Sequence, residues 1–340
     1  MKKKILLTGV AGFIGFSLTK ALLDQGYKVV GIDNLNDYYD TELKYSRLKC
    51  LGIERIEAEK FLQPVSGSVY PALRFIRMDI RDKEAVFKLF AENRFDVVCH
   101  LAAQAGVRYS IDHPFAYIQS NIEGFAVMLE ACRHHNIGHF VYASSSSVYG
   151  QNNKIPYSES DSVDQPVSLY AATKKSNELM AYTYSKLYRL PSTGVRFFTV
   201  YGPWGRPDMA PFLFMDAIAK GRAIKVFNRG NLERDFTYVD DIVRGVQLII
   251  ETPPAGETPY EIYNLGHSSP VKLMDFIKAI ENVTGKPAHK IFSNMQPGDV
   301  YATCADMTKF QNKFGYKPQV SIEQGILLTY RWYKDFVLNA

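Results

Sequence analysis

Tyr170 and Lys174 stand four residues apart in a stretch of helical periodicity, which puts a phenol and an ammonium on one helix face. A phenol is a poor base, with an ordinary pKa near 10. A neighbouring cation favours the phenolate. The pair could then take the proton of a carbinol while its carbon gives hydride to an acceptor. Upstream, Ser144, Ser145, Ser146 and Ser147 follow an apolar run that reads as a strand. Ser145 is a candidate to hydrogen-bond the same hydroxyl and orient it. An isolated Tyr/Lys pair is more often a packed helix surface, so its meaning depends on the rest of the chain.

The chain supplies a hydride acceptor's site near its start. Gly9, Gly12 and Gly15 follow a G-x-x-G-x-x-G pattern between a strand signal and a helix signal, with Phe13 and Ile14 opening the helix. Such a turn lets a pyrophosphate approach bare backbone and meet the free N–H groups of a helix N-terminus. The glycines alone would mark an ordinary strand–helix turn; the strand–helix context is what the dinucleotide reading requires. Asp33 ends the second strand signal, 18 positions past Gly15 (33 − 15), where a carboxylate can grip an adenosine ribose. An acid there disfavours a 2′-phosphate, so the cofactor expected is NAD. Asn34 adjoins it. Asp79 and Ile80 past the third strand, and Leu101, Ala102 and Ala103 past the fourth, are softer candidates for the adenine and the phosphates.

The elements needed to position these groups are legible as alternation. Strand signals at 4–7, 28–33, 73–78, 97–101, 139–143 and 193–198 are interleaved with helical stretches at 13–25, 83–93, 114–135 and 169–188. That order implies parallel strands with right-handed crossovers, hence a doubly wound α/β sheet of Rossmann type with its crevice at the strands' carboxyl ends. Past Tyr201 the texture changes to prolines and short strands at 223–227 and 260–265, with helices at 272–283 and 322–338. The expected division is a dinucleotide-binding domain over 1–200 and a smaller mixed substrate domain over 201–340, some of whose segments return to the first. Residues 37–71 form a long excursion between the second and third strands, helical over 37–51 and of no clear shape beyond.

Composition narrows the classes. The 340 residues are 46% hydrophobic and 22% charged, an ordinary globular balance. A net charge of +5 suits an anionic ligand, but the only basic run is Lys2-Lys3-Lys4, too little for a nucleic-acid binder. That run precedes apolar residues as a signal peptide would, yet three glycines and then Lys20 and Asp24 interrupt it; it reads as a strand entering a ligand loop. Cys50, Cys99, Cys132 and Cys304 are scattered, without metal-ligand spacing, so a reduced cytoplasmic protein with no metal is expected. No apolar window of membrane-spanning length occurs.

Residues 8–15, the segment 144–150 and Tyr-Ala-Ala-Thr-Lys at 170–174 resemble the extended short-chain dehydrogenase/reductase superfamily. Ala-Gly-Val-Arg-Tyr-Ser at 105–110, Ser-Leu-Tyr-Ala-Ala-Thr-Lys-Lys at 168–175 and the run from Arg196 to Met209 together resemble the UDP-glucuronate 4-epimerases. The likeness covers nearly the whole chain. It implies Tyr170 as base, Lys174 as the partner that lowers its pKa, and Ser145 as the hydroxyl-binding residue, with Asn121 in the network around Tyr170 and the nicotinamide ribose. Galactose-type epimerases normally carry asparagine where Thr199 stands, and threonine fits the uronate branch. The implied substrate is a UDP-sugar whose C6 carboxylate Ser145, Ser146, Ser147 and Thr199 could satisfy with hydroxyl donors; the serine run is otherwise a polar strand end bonded to its own backbone. Arg206 and Arg234 are the diphosphate candidates, Arg206 being as readily a surface arginine. A decarboxylase forming UDP-xylose shares the first step, and a non-catalytic dinucleotide sensor would not need Tyr170 and Lys174. By analogy of fold, helices 114–135 and 169–188 would pair two copies into a homodimer.

Overall fold

The structure, a computed structural model, describes residues 2–152, 154–296 and 298–338. The chain divides into two compact units. The first comprises Met1–Gly150, Val163–Arg196 and Val243–Tyr263, and the second Gln151–Ser162, Phe197–Ile242 and Asn264–Ala340.

The first unit is built on an eight-stranded sheet. Its strands are β1 (Lys4–Thr8), β2 (Lys28–Asp33), β3 (Val65–Ser66), β4 (Leu73–Arg77), β5 (Val97–His100), β6 (His139–Ser145), β7 (Ser192–Phe197) and the strand Tyr260–Leu265. From one edge the order is Tyr260–Leu265, β7, β6, β5, β1, β2, β4, β3. The pairs β1–β2, β2–β4, β1–β5 and β5–β6 are parallel, and β3 joins β4 antiparallel. Chain order therefore runs outward from β1 to β4, returns to β5 on β1's other side, and continues outward again. The reversal falls between β1 and β5, where doubly wound sheets open a ligand crevice.

Sequence explains why these strands sit centrally. Ile5, Leu6 and Leu7 of β1 and Val97, Val98 and Cys99 of β5 are all buried, as continuous apolar runs must be when both faces of a sheet are covered. One face packs Leu6, Val30, Ile76 and Val98 against Phe125, Met128 and Leu129 of the helix Gly124–His134. Burying one such side chain contributes roughly 1.5–3 kcal/mol, so this core holds the sheet's ends in place.

Two helical expectations change in detail. The stretch 114–135 is interrupted: Pro114–Tyr117 and Gly124–His134 are α-helical, and a π-helical turn, Ile118–Glu123, lies between them. The excursion is helical only over Glu42–Cys50 and Arg55–Ala58, then supplies β3 at the sheet's edge.

The second unit carries three two-stranded pairings. Thr199–Tyr201 runs parallel to Phe236–Tyr238, Ala223–Val226 parallel to His289–Phe292, and Glu233–Arg234 antiparallel to Val271–Lys272. Helix Ala210–Ala219, absent from the sequence-based expectations, belongs to it together with Leu273–Thr284 and Ile322–Tyr333; a further unforeseen helix, Val239–Glu251, begins in the second unit and from Val243 onward belongs to the first. Among the described residues no helix is long and apolar enough to cross a membrane.

Candidate active site

The glycine loop leaves β1 at Thr8 and enters the helix Phe13–Asp24. Gly9 has φ +78°, and a Cβ there would lie 2.9 Å from the backbone nitrogen of Ala102. A Cβ on Gly15 would lie 2.0 Å from the Gly9 carbonyl oxygen, so only glycine lets helix and loop approach this closely. Gly12 is the helix N-cap, no side chain caps the turn, and the N–H groups of Phe13 and Ile14 open it. A helix start of this kind attracts an anion through its N–H groups and dipole. The Asp33 carboxylate accepts from the Ala11 amide at 3.1 Å and the Leu35 amide at 2.9 Å. Each of its oxygens keeps a lone pair for a ribose hydroxyl.

Asn34 donates to Asp79 at 3.1 Å, and Arg81 grips the same carboxylate through Nε and Nη2, both at 2.9 Å. Burial alone would raise the Asp79 carboxyl's pKa, but these bonds hold it below its ordinary value. Both oxygens are thus engaged, and adenine would have to share or displace Arg81. Ile80 beside it is buried. Leu101, Ala102 and Ala103 follow β5, half-buried, with the Ala102 amide donating to Thr8 Oγ1 at 3.0 Å. The Thr8 hydroxyl also meets His100 Nδ1 at 2.9 Å. Burial first, and the Lys174 charge second, lower the His100 pKa to about 3, so this ring is neutral.

The second half of the site converges on the end of β6. That strand runs through Ser145, and Ser146–Tyr149 continue as a 3-10 turn. The Ser145 oxygen accepts from the Ser147 amide at 3.1 Å and its hydroxyl donates to Ser147 Oγ at 3.1 Å. Ser146 and Ser147 are half-buried. Lys174 is buried on the helix Leu169–Tyr188, whose N-cap Ser168 accepts from the Ala171 amide. Its Nζ donates to the Ala143 carbonyl at 2.8 Å, one residue before the serines. Burial lowers the Lys174 pKa to about 8, against a smaller upward pull from Glu178.

Tyr170, half-buried one turn before Lys174, meets the Tyr117 ring edge-on at 6.0 Å between centroids. Thr173 Oγ1 donates to the Tyr170 carbonyl at 2.8 Å and accepts from Asn121 Nδ2 at 3.1 Å. Asn121 also exchanges bonds with the Gln104 backbone, accepting at 2.8 Å and donating at 3.0 Å. It stands in the π-helical turn, and its own carbonyl accepts from Asn177 Nδ2 at 2.6 Å. Turns of this type recur at functional sites.

Sequence reasoning missed the buried support behind the serines. Ser144 Oγ donates to Glu178 Oε1 at 2.6 Å, and Arg196 holds both Glu178 oxygens at 2.8 Å. Arg196 also donates to the Tyr149 hydroxyl at 3.0 Å. Position Glu178, four past Lys174, is the one sequence signal that could have pointed to it. Thr199, Arg206 and Arg234 belong to the second unit. There the Thr199 amide donates to the Asp235 carbonyl at 3.1 Å, Arg206 Nε donates to Asp208 at 3.0 Å, and Arg234 Nη1 donates to the Glu233 carbonyl at 2.9 Å. The described residues hold no cluster of three or more His, Cys, Asp or Glu able to bind a metal ion.

Residues 5–266 match the model of the NAD dependent epimerase/dehydratase family. UDP-glucuronate 4-epimerase 2 of Arabidopsis thaliana is 45% identical over 98% of this chain and 76% of its own length. Protein CapI of Staphylococcus aureus is 48% identical over 98% of this chain and 99% of its own. The crystal structure of the UDP-glucuronic acid 4-epimerase from Bacillus cereus, in complex with UDP-glucuronic acid and NAD, superposes with a TM-score of 0.86 at 35% identity, covering 98% of this chain and 99% of that one.

Proposed function

The chain belongs to the NAD dependent epimerase/dehydratase family, and from that premise we propose that it interconverts UDP-glucuronate and UDP-galacturonate by epimerisation at C4. One observation carries the chemistry: a buried ammonium, Lys174, fixed to the Ala143 carbonyl one turn from Tyr170 and one residue from the serine run.

NAD fits the chain's own geometry. A Cβ at Gly9 or Gly15 would fill the turn, the helix start at Gly12 carries no side-chain cap, and Asp33 keeps acceptor capacity. Gly9, Gly12, Phe13, Ile14 and Gly15 would hold its pyrophosphate, Asp33 and Asn34 its adenosine ribose, and Asp79, Ile80, Leu101, Ala102, Ala103 and Asn121 would line the rest. Bound NAD supplies a two-electron acceptor that takes hydride from C4 and returns it.

The remaining work belongs to side chains. Tyr170 accepts the O4 proton as the carbinol is oxidised and gives it back on reduction of the 4-keto sugar. Lys174, charged below a pKa of about 8, favours the Tyr170 phenolate. Ser145 hydrogen-bonds O4 and fixes its direction. Ser146 and Ser147 offer hydroxyl donors to the C6 carboxylate, which holds the C5–C6 bond away from alignment with the C4 carbonyl and so opposes loss of CO₂. Arg206 and Arg234 neutralise the diphosphate.

A homodimer is the proposed assembly. Phe115, 77% exposed, and Ile118 lie one turn apart on one helical segment, and Leu179 and Tyr182 form an exposed apolar pair on Leu169–Tyr188. Four free cysteines suit a reducing cytoplasm, and a galacturonate donor suits a role in polysaccharide synthesis. Incubation with UDP-glucuronate, followed by proton NMR, tests the reaction. UDP-galacturonate is the expected product; UDP-xylose with CO₂ would replace epimerisation by decarboxylation, and no turnover with NAD bound would leave a sensor.

A further inference from the structure

The excursion at 37–71 has no part in the chemistry above, yet it sends one side chain into the glycine loop. Arg47, on the helix Glu42–Cys50, is fully buried and donates from Nη1 to the Ala11 carbonyl at 2.7 Å and to the Tyr39 hydroxyl at 2.7 Å. Its guanidinium also lies against the Tyr39 ring, 5.6 Å from the centroid. Ala11 stands between Gly9 and Gly12, and its amide is held by Asp33 Oδ2. The residue is therefore fixed at its N–H by a carboxylate and at its C=O by a guanidinium.

We propose that Arg47 is a positioning residue for the dinucleotide: it locks the Ala11 carbonyl so that the glycine loop keeps the shape that holds a pyrophosphate. The inference rests on the NAD reading of the loop. Its physical basis is the freedom of the loop itself. Glycine leaves φ and ψ loosely restricted, and three glycines in seven residues would sample many shapes, few of which present a helix start to an anion. The bond Gly12 N–H to Gly9 O, 2.9 Å, closes the turn and holds the N–H of the peptide that joins Ala11 to Gly12; the carbonyl of that peptide remains to be held. Arg47 holds it through a charge-assisted bond, which is short and roughly twice as strong as a neutral one. Its positive charge also stands beside the anion's seat, where burial screens it little.

Two neighbouring contacts brace the same segment. Lys44, one turn earlier on that helix, donates to the Asn36 carbonyl at 2.7 Å and to Asn36 Oδ1 at 2.6 Å. This ties down the chain just past Asp33 and Asn34. The helix Glu42–Cys50 thus grips both the loop that would meet the cofactor's pyrophosphate and the one that would meet its adenosine ribose. Retention of NAD through many turnovers needs such pre-organisation, because a loop that must be ordered on binding loses affinity.

The test uses the holoprotein and compares wild type with Arg47→Gln and Arg47→Lys. The exchange rate of bound NAD for isotope-labelled NAD is measured, together with kcat at saturating NAD and the far-UV circular dichroism. Arg47→Gln is expected to release NAD at least tenfold faster, equivalent to about 1.4 kcal/mol, while kcat at saturation falls by less than threefold. Arg47→Lys, which keeps the charge without the planar fork, is expected to fall between the two. Should the glutamine variant fail to fold, the lysine variant decides alone. Wild-type exchange in either folded variant overturns the assignment, as does a loss shared equally between kcat and NAD affinity. A wild type that binds no NAD overturns the parent reading, and this one with it.

Discussion

Replacing Lys174 by methionine separates the electrostatic role of this side chain from its packing. Burial lowers the ammonium's pKa from 10.5 to about 8 in the folded chain. Below pH 8 the native state carries a charge that burial disfavours, at a cost of about 3 kcal/mol. Between pH 8 and 10.5 the folded lysine is neutral while the unfolded one still binds a proton, so wild-type stability rises with pH in this window. Methionine has no such dependence. The bond to the Ala143 carbonyl, 2.8 Å, is also lost, but that offset is the same at every pH in the comparison. The difference between wild type and variant should thus shift in favour of wild type by about 2 kcal/mol from pH 7 to pH 9.5. Urea unfolding of the NAD-free proteins, followed by circular dichroism across that range, reads it directly. Parallel pH profiles would refute the claim that Lys174 sits as a buried charge. A shift of opposite sign would mean that the folded chain stabilises the ammonium.

Tyr170→Phe should lower kcat by about 10²–10⁴, the usual contribution of a positioned acid/base, while the NAD content of the purified protein stays as in wild type. Gly15→Ala should strip NAD from the protein, since the added Cβ would stand 2.0 Å from the Gly9 oxygen; cofactor per chain after denaturing extraction measures it. Arg196→Met should destabilise the first unit by about 3–5 kcal/mol, because it leaves the Glu178 carboxylate buried without its partner. A fall in the urea midpoint checks this, and removal of the pair's effect on Ser144 should appear as reduced kcat.

The parts of the site that were legible in the sequence are those whose geometry one element fixes. Gly9 to Gly15 needs only a strand, a turn and a helix start, and Tyr170 with Lys174 needs only one helix. Contacts between distant segments left no such mark. Arg47 reaches Ala11 across 36 positions, and nothing about Glu42–Cys50 as an amphipathic stretch indicates which loop it will touch. Asn121 was placed by resemblance, but its π-helical turn was invisible because a local change in hydrogen bonding does not disturb a broad helical period. Val239–Glu251 could have been found: Val239, Ile242, Val243, Val246, Ile249 and Ile250 are buried at helical spacing, with Asp240 and Asp241 in the first turn. Arg234, just upstream, draws attention as a diphosphate candidate instead. In the same segment Asp235 is buried and accepts from the amides of His267, Ser268 and Ala305 at 2.7, 3.0 and 2.8 Å, a role in joining chain segments that local sequence cannot reveal.

The central claim is that the same hydrogen leaves C4 and comes back to it. UDP-glucuronate carrying deuterium at C4, incubated with the holoprotein in ordinary water, should yield UDP-galacturonate with the deuterium still at C4 by mass spectrometry and NMR. Product carrying solvent hydrogen at C4 would contradict the account.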